Sequence, residues 1–329
     1  MMITNGLIIF LASFLSTFGI MPYAIRYLRR SGLMVRDQNK KGRPLIPLSG
    51  GLPVMGGIFL GLMAYIFIRT FFSHDTFLLL PFFASMTTIL LITFVGFVDD
   101  SIIPKSKESS AGLKQWQKPL LTLVAAIPLM AINAGNSIMS FPFIGQVNLG
   151  LAYPLILVPV IVVVAANMVN LLAGMNGLES GLGLVYTGML GLFAAYHQNY
   201  FAAVLCLATF GALLAFFRFN FVPAKILPGD SLTYLLGAVL ACVAVLGNME
   251  KAVIIVSIPF AIEFFLKMRS RFKARSFGYF KNGKIASFHG KKVYSLVHLF
   301  TRTERFTEKQ IVISLMILEF LISCLIWVV

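Results

Sequence analysis

Three short stretches carry most of the side chains in this sequence that could do chemistry: "FVGFVDDS" at 94–101, "NMVNLLAGMNGLES" at 167–180 and "FVPAKILPGDSLTY" at 221–234. Asp99 and Asp100 are adjacent, so on a helix they point about 100° apart, and one can face a ligand while the other faces a neighbouring helix. At a helix C-terminus they sit against the negative end of the dipole, a penalty of roughly 0.3–1 kcal/mol each that asks for a compensating cation. The alternative is a solvated pair marking the helix end. Asp230 follows Pro228-Gly229 and precedes an apolar run, which reads as a helix N-cap, and capping does not exclude ligating a cation. Asn167 and Asn170 are one turn apart and share a face, where asparagine also serves simply to bond a neighbouring helix. Gly174, Asn176 and Gly177 then break the helix and let backbone approach a ligand closely, and Glu179 opens the next helix. Asp99, Asp100, Asp230 and Asn170 are hard oxygen donors, whereas His74 and His197 fall on the far side. That donor set favours Mg²⁺ or Mn²⁺ over zinc. Magnesium beside lysines and arginines suits transfer of a phosphoryl group, where catalysis is mostly positioning and charge neutralisation. No G-x-x-x-x-G-K-[ST] loop is present, so ATP hydrolysis is not indicated. The residues themselves lead as far as a metal-assisted site for an anionic, phosphorylated substrate.

The elements that must position these residues are membrane helices. Of 329 residues, 58% are hydrophobic and 12% charged, far from a soluble average. Uncharged runs at 3–25, 44–68, 76–98, 119–178, 180–217 and 231–249 are each long enough to cross a hydrocarbon core, two of them twice. The expected fold is all-α and polytopic, with about ten transmembrane helices near 5–26, 50–70, 77–98, 117–134, 151–170, 180–197, 199–218, 231–248, 251–268 and 309–329. The first lacks a basic n-region and a cleavage site, and reads as a retained helix. If the loops alternate sides, 25 of the 27 lysines and arginines share one side. That side is then cytoplasmic, and both termini are non-cytoplasmic. The net charge of +15 is thereby explained largely by orientation, not by nucleic acid. All three polar clusters fall on this basic side. A single integral membrane domain spanning 1–329 is expected, with a basic cytoplasmic loop at about 269–308. The three cysteines lie in apolar runs, against a disulfide framework or a zinc site.

"GFVDDS", "NMVNLLAGMNGLESG" and "FVPAKILPGDSLTYLLGA" resemble the signatures of the polyprenyl-phosphate N-acetylhexosamine-1-phosphate transferases (glycosyltransferase 4 family). Similarity is greatest to the eukaryotic and archaeal branch, the UDP-GlcNAc–dolichyl-phosphate GlcNAc-1-phosphate transferases that begin protein N-glycosylation. It runs from "DQNKKGRPLIP" at 37–47 to the last helix. The resemblance implies a Mg²⁺-dependent enzyme joining a UDP-sugar to a membrane polyprenyl or dolichyl phosphate at the cytoplasmic face. The products would be UMP and GlcNAc-diphospho-lipid. By motif position it implies Asn170 and Asp230 as metal ligands, Lys118 at the phosphates, and Asn176 and Glu179 at the uridine. It places Asp99 and Asp100 at the lipid phosphate, with either able to act there. Arg271, Lys273 and Arg275 are the cations implied near diphosphate and sugar; here Arg271-Phe272-Lys273 stands where the branch carries Arg-His-Arg. Pro47-Leu48-Ser49 stands where eukaryotic members carry Pro-Glu-Ser.

The three-histidine run of the bacterial muramoyl-pentapeptide transferases is absent, against that substrate. The length and lack of targeting tails favour a prokaryotic, archaeal cell membrane over the endoplasmic reticulum. A homodimer is compatible with this reading. Another UDP-N-acetylhexosamine or undecaprenyl phosphate would keep the same chemistry. A secondary transporter is the rival class, disfavoured because its polar breaks belong near the midplane and in repeated halves. In "KKVYSLVHLF", Val293, Leu296, Val297 and Phe300 follow helical spacing. The stretch reads equally as a helix lying in the headgroups or as one packed on the bundle.

Overall fold

The computed structural model describes residues 2–102, 112–114, 116–132, 138–141 and 145–328. Thirteen α-helices are described: α1 Met2–Arg30, α2 Gly51–Phe71, α3 Leu79–Ile102, α4 Gln117–Val124, α5 Ile127–Ile132, α6 Val158–Leu171, α7 Leu178–Tyr196, α8 Tyr200–Asn220, α9 Gly229–Gly247, α10 Glu250–Val256, α11 Ile258–Met268, α12 His298–Thr301 and α13 Glu308–Ser323, with a π-helical turn at Tyr153–Leu157 leading into α6 and a 3-10 turn at Cys324–Trp327 following α13. Three two-stranded antiparallel hairpins accompany them: β1 Met34–Arg36 with β2 Leu45–Pro47, β3 Ile138–Phe141 with β4 Gly145–Asn148, and β5 Tyr279–Lys281 with β6 Lys284–Ala286.

Eight helices among the described residues are long and apolar enough to cross a membrane. They match eight of the ten expected segments. The other two are interrupted. The segment expected at 117–134 is split into α4 and α5 by Ala125-Ala126, and its last two residues lie outside the described ones. The segment expected at 251–268 is split at Ser257, beside Pro259, whose ring cannot continue the hydrogen-bond ladder. Lys105 and Lys107 of the basic side also lie outside the described residues.

Helix α9 runs through the centre. Its residues from Ser231 to Val245 are all buried, so it is apolar around its whole circumference, as a helix enclosed by other helices must be. Its neighbours include α3, α6 and α2. Small residues set how closely they approach, since lipid-like surroundings supply no hydrophobic force between helices and packing must do the work. A Cβ on Gly96 of α3 would lie 2.5 Å from the Asp230 carbonyl oxygen, and one on Gly237 would lie 2.3 Å from that of Ala165 in α6. Backbone is therefore pressed on backbone at the start of α9, against α3, and again midway along α9, against α6.

The stretch 291–300 does not form a helix lying in the headgroups. Only His298–Thr301 is helical, and Leu296 and Val297 are buried in the protein. They pack inward as the second reading expected, but from turns and not from a helix, so the helical spacing of Val293, Leu296, Val297 and Phe300 is not realised as a helix. Helix α13 starts with a full capping box between Thr307 and Gln310. The tight β5–β6 turn is Asn282-Gly283, both left-handed at φ 47° and 80°, the backbone that a two-residue hairpin demands.

Candidate functional site

The last turn of α3, the first turn of α9, the start of α4 and the end of α6 meet at one end of the bundle. Asp99 is almost wholly enclosed at 1% exposure. Its Oδ1 accepts the Leu113 N–H at 2.5 Å, and its Oδ2 lies 2.7 Å from Lys118 Nζ and 3.3 Å from the Tyr234 hydroxyl, which donates to it. The same Lys118 ammonium is 2.6 Å from Asp230 Oδ2. Two carboxylates from different helices thus converge on one cation and lie within hydrogen-bonding reach of each other. The Asn170 side chain reaches the Tyr234 hydroxyl from α6. Of the two adjacent carboxylates at the end of α3, Asp99 finds its compensating cation in Lys118, supplied from the next helix.

Asp100 points elsewhere. Its Oδ1 accepts the Asp230 N–H at 2.7 Å, and its Oδ2 accepts the Ser231 N–H at 3.2 Å and the Ser49 hydroxyl at 2.7 Å. The first amides of a helix have no partner within it; here a carboxylate from α3 satisfies two of them. This corrects the N-cap reading of Asp230. Its side chain makes no capping bond, and it is instead capped by Asp100 and so left to face Lys118. Gly229 leaves room for this arrangement, because a Cβ there would fall 2.3 Å from Asp100 Oδ2. Ser49 is held in place by its neighbours: Pro47 O accepts the Leu227 N–H and Leu227 O accepts the Gly50 N–H, at 2.8 and 3.0 Å.

A second cluster lies along the loops at this end. Asn176 donates through its side chain to Asp37 Oδ2 at 2.7 Å and through its backbone to Glu308 Oε1 at 2.9 Å. Asn39 donates to Gly174 O at 2.8 Å and to Glu308 Oε1 at 3.2 Å, and accepts the Gly278 N–H at 3.2 Å. Lys40 pairs with Glu308; burial pulls this ammonium below the ordinary lysine range, and Asp37 partly offsets that. Glu179 turns back to accept the Gly174 N–H at 2.8 Å, leaving its buried Oε2 without a protein partner. Asn176 and Glu179 are thus brought together, but the Asn176 amide is engaged with Asp37.

The basic loop folds over this end. Arg271, Lys273 and Arg275 are exposed, and among the described residues none of them makes an ion pair. Arg275 lies over the Phe277 ring at 5.7 Å. Its carbonyl accepts from His298 Nε2 at 2.8 Å, while His298 Nδ1 accepts the Tyr294 N–H at 3.1 Å. Both ring nitrogens are committed in the neutral form, and burial holds this imidazole down at about 4. Asn167 bonds Val163 O at 2.8 Å and Thr122 at 3.4 Å, the role of a helix-packing asparagine.

The donor set suits a hard divalent cation. Magnesium is commonly held by one or two carboxylates with the remaining positions left to water and phosphate oxygens. Asp99, Asp230 and Asn170 offer that much and no more. Among the described residues no group of three His, Cys, Asp or Glu side chains is arranged around a metal position. A cavity of about 1160 Å³ lies at the opposite end, lined by apolar residues such as Leu184, Leu207 and Phe210. It contains none of the residues above, so its size does not make it the chemical site. The residues of this end that sequence reasoning did not single out are Asp37, Asn39, Glu308, Tyr234 and His298. For Asp37 and Asn39 a signal existed, because they open the "DQNKKGRPLIP" stretch.

A family model described as glycosyl transferase family 4 matches residues 82–248, a span that holds Asp99, Lys118, Asn170 and Asp230. The chain is 33% identical over 312 residues to a protein of Saccharolobus solfataricus, covering 94% of this chain and 90% of that one. A protein of Sulfolobus acidocaldarius is 29% identical, with 92% and 89% covered. Both carry the provisional name UDP-N-acetylglucosamine–dolichyl-phosphate N-acetylglucosaminephosphotransferase. A phospho-N-acetylmuramoyl-pentapeptide-transferase of Lactiplantibacillus plantarum is 32% identical over 259 residues, with 77% and 79% covered.

Proposed function

The chain belongs to glycosyl transferase family 4, and from that premise we propose that it transfers GlcNAc-1-phosphate from UDP-GlcNAc to a membrane dolichyl phosphate, releasing UMP. The observation that carries this reading is the meeting of Asp99, Lys118 and Asp230 from three separate segments. An acceptor phosphate oxygen forms a bond to the sugar-linked phosphorus of the donor. The bond from that phosphorus to the bridging oxygen breaks, and the oxygen leaves with UMP and the electron pair. Charge neutralisation and alignment are what such a step needs from a protein.

Asn170 and Asp230 would hold Mg²⁺, which when bound neutralises charge on the donor diphosphate. Lys118, now shared by two carboxylates, is the side chain within reach of transferring phosphate oxygens. Asp99 orients the acceptor phosphate, which is already largely ionised near neutral pH. Asp100 holds Asp230 and stays out of the reaction. Arg271, Lys273 and Arg275 supply uncompensated positive charge for the donor, and the loop closed by Asn176, Glu179 and Glu308 forms the nucleotide side. Both interrupted segments count as crossings, which gives ten, with the termini outside and the site on the cytoplasmic face of an archaeal-type cell membrane.

UMP release by purified protein, given UDP-GlcNAc and dolichyl phosphate with and without Mg²⁺ and tunicamycin, tests this reading. The expected result is Mg²⁺-dependent release, blocked by tunicamycin and abolished in Asn170→Ala without loss of fold. Near-normal turnover in that variant would remove Asn170 from the metal. Release only with another UDP-N-acetylhexosamine or with undecaprenyl phosphate would keep the chemistry and change the substrate. Flux without UMP would indicate transport.

A further inference from the structure

Lys267 lies outside the cluster described as meeting the substrate, yet it is bonded to the helix that ends in Asn170-Leu171. Its Nζ donates to the Leu171 carbonyl at 2.5 Å and sits 3.7 Å from Glu263 Oε1, one turn back on α11. Helix α6 stops at Leu171, because Leu172 leaves the helical conformation with φ −93° and ψ 68°. The last carbonyls of a helix have no partner within it. One of them is met here by an ammonium group placed at the negative end of the dipole. Ser276 adds a hydroxyl 3.4 Å from the same carbonyl and 3.4 Å from Glu263 Oε1.

Glu263 is 0% exposed, and its second oxygen accepts the Leu296 N–H at 2.8 Å. One enclosed ion pair therefore ties the end of α6 to α11, to residue 276 and to residue 296. The backbone of Lys267 anchors a fourth segment. Its carbonyl accepts the N–H groups of Ser270 and Phe272, each at 2.9 Å, and so closes the turn in which Arg271 and Phe272 are left-handed at φ 52° and 58°. Such backbone is strained for residues with a Cβ and persists only where the surroundings dictate it. A single residue thus fixes, through its side chain, the peptide next to Asn170 and, through its backbone, the start of the Arg271–Arg275 stretch.

We propose that Lys267, itself held by Glu263, is a positioning residue that sets Asn170 toward the metal and the basic stretch toward the donor. This rests on the reading of Asn170 as a metal ligand. A residue that orients a ligand from behind typically shifts metal affinity or activity by about 10–100-fold when removed. Lys267 acts through the Leu171 carbonyl, so arginine, which also donates and carries charge, should preserve most of the effect.

The test compares full-length wild type, Lys267→Met and Lys267→Arg in detergent. Mn²⁺ is titrated and the free ion followed by electron paramagnetic resonance, with KM and kcat for UDP-GlcNAc measured alongside and the thermal midpoint taken without metal. The Met variant is expected to bind Mn²⁺ about 10–100-fold more weakly and to raise KM for UDP-GlcNAc, with the Arg variant close to wild type. A Met variant with a lowered thermal midpoint but wild-type Mn²⁺ binding and KM would overturn the proposal and leave a purely structural strut. Should Lys267→Met not fold, Glu263→Gln keeps the lysine and the shape of its partner, and unchanged Mn²⁺ binding there overturns it equally. A wild-type protein that takes up no Mn²⁺ would overturn the metal reading itself. That failure is seen before any variant is compared.

Discussion

Asp99 and Asp100 differ by one position and, apart from Asp230, by the groups they touch, and replacing each with asparagine should separate their roles. In Asp100→Asn the carboxamide keeps one accepting oxygen. If that oxygen takes the Oδ2 place, it serves Ser231 and Ser49, and the new NH₂ faces the Asp230 N–H. If it takes the Oδ1 place, the Ser49 hydroxyl can turn and accept, but the Ser231 N–H is left facing a donor. Either way one enclosed backbone amide loses its acceptor, at a cost of about 1–3 kcal/mol. A chain of 329 residues responds by about 1.5–4 °C in thermal midpoint, read in detergent with a thiol-independent unfolding probe. Asp99→Asn keeps an acceptor for the Leu113 N–H but turns its NH₂ toward Lys118, so it too should lower the midpoint, and turnover is what separates the two variants. Asp99→Asn removes the charge facing Lys118 and should lower UMP release about 100-fold or more. If Asp100→Asn kept its thermal midpoint but lost turnover to the level of Asp99→Asn, Asp100 would belong to the reaction and the capping argument would fail.

Gly96→Ala forces a methyl against the Asp230 carbonyl, which as backbone cannot turn aside; about 1–3 kcal/mol of overpacking and weakened Mn²⁺ binding are expected together, and a fully active, unshifted variant would show that α3 and α9 are not locked. His298→Gln addresses pH. The folded imidazole is held at about 4 against an ordinary 6.5, so between those values the unfolded chain takes up a proton that the folded chain refuses. The contribution is complete above 6.5 and declines as pH falls toward 4, by up to about 3 kcal/mol at 1.36 kcal/mol per unit. Glutamine should flatten that slope of midpoint against pH, and an unchanged slope would place its cause elsewhere.

The helices were legible because hydrocarbon thickness leaves long uncharged runs as a direct imprint. Asp99, Asp100, Asn170 and Asp230 stood out because polar residues are rare in such a chain, whereas Lys118 was marked only by the family resemblance. Two kinds of feature were not. Interruptions at Ala125-Ala126 and Ser257 cost no change in hydropathy, so a run of the right length conceals a broken helix. The partners of Asp230 and Asn176 are also hidden, because Asp100 is 130 positions from one and Glu308 is 132 from the other. Local cap rules naturally awarded the start of α9 to the nearest aspartate, whereas the acceptor came from across the bundle. The helical spacing of Val293, Leu296, Val297 and Phe300 misled, because all but the last of these residues lie before a single helical turn at His298–Thr301, and burial of Leu296 and Val297 comes from tertiary packing. The Asn282-Gly283 hairpin, by contrast, announces itself by composition.

The knot of Asp37, Asn39, Asn176 and Glu308 has a consequence for how the chain is made. Its members come from near the beginning, the middle and the last crossing of the sequence, and Gly278 joins from the loop between. A chain emerging in order can bring Asp99, Lys118, Asn170 and Asp230 into the membrane well before residue 308 exists. The loop over 174–176 then has no carboxylate to close on, and the contacts that complete it are among the most distant in sequence, those whose closure comes last. The Asp99–Lys118–Asp230 cluster and the loop over 174–176 therefore depend on stretches of chain that become available at different times.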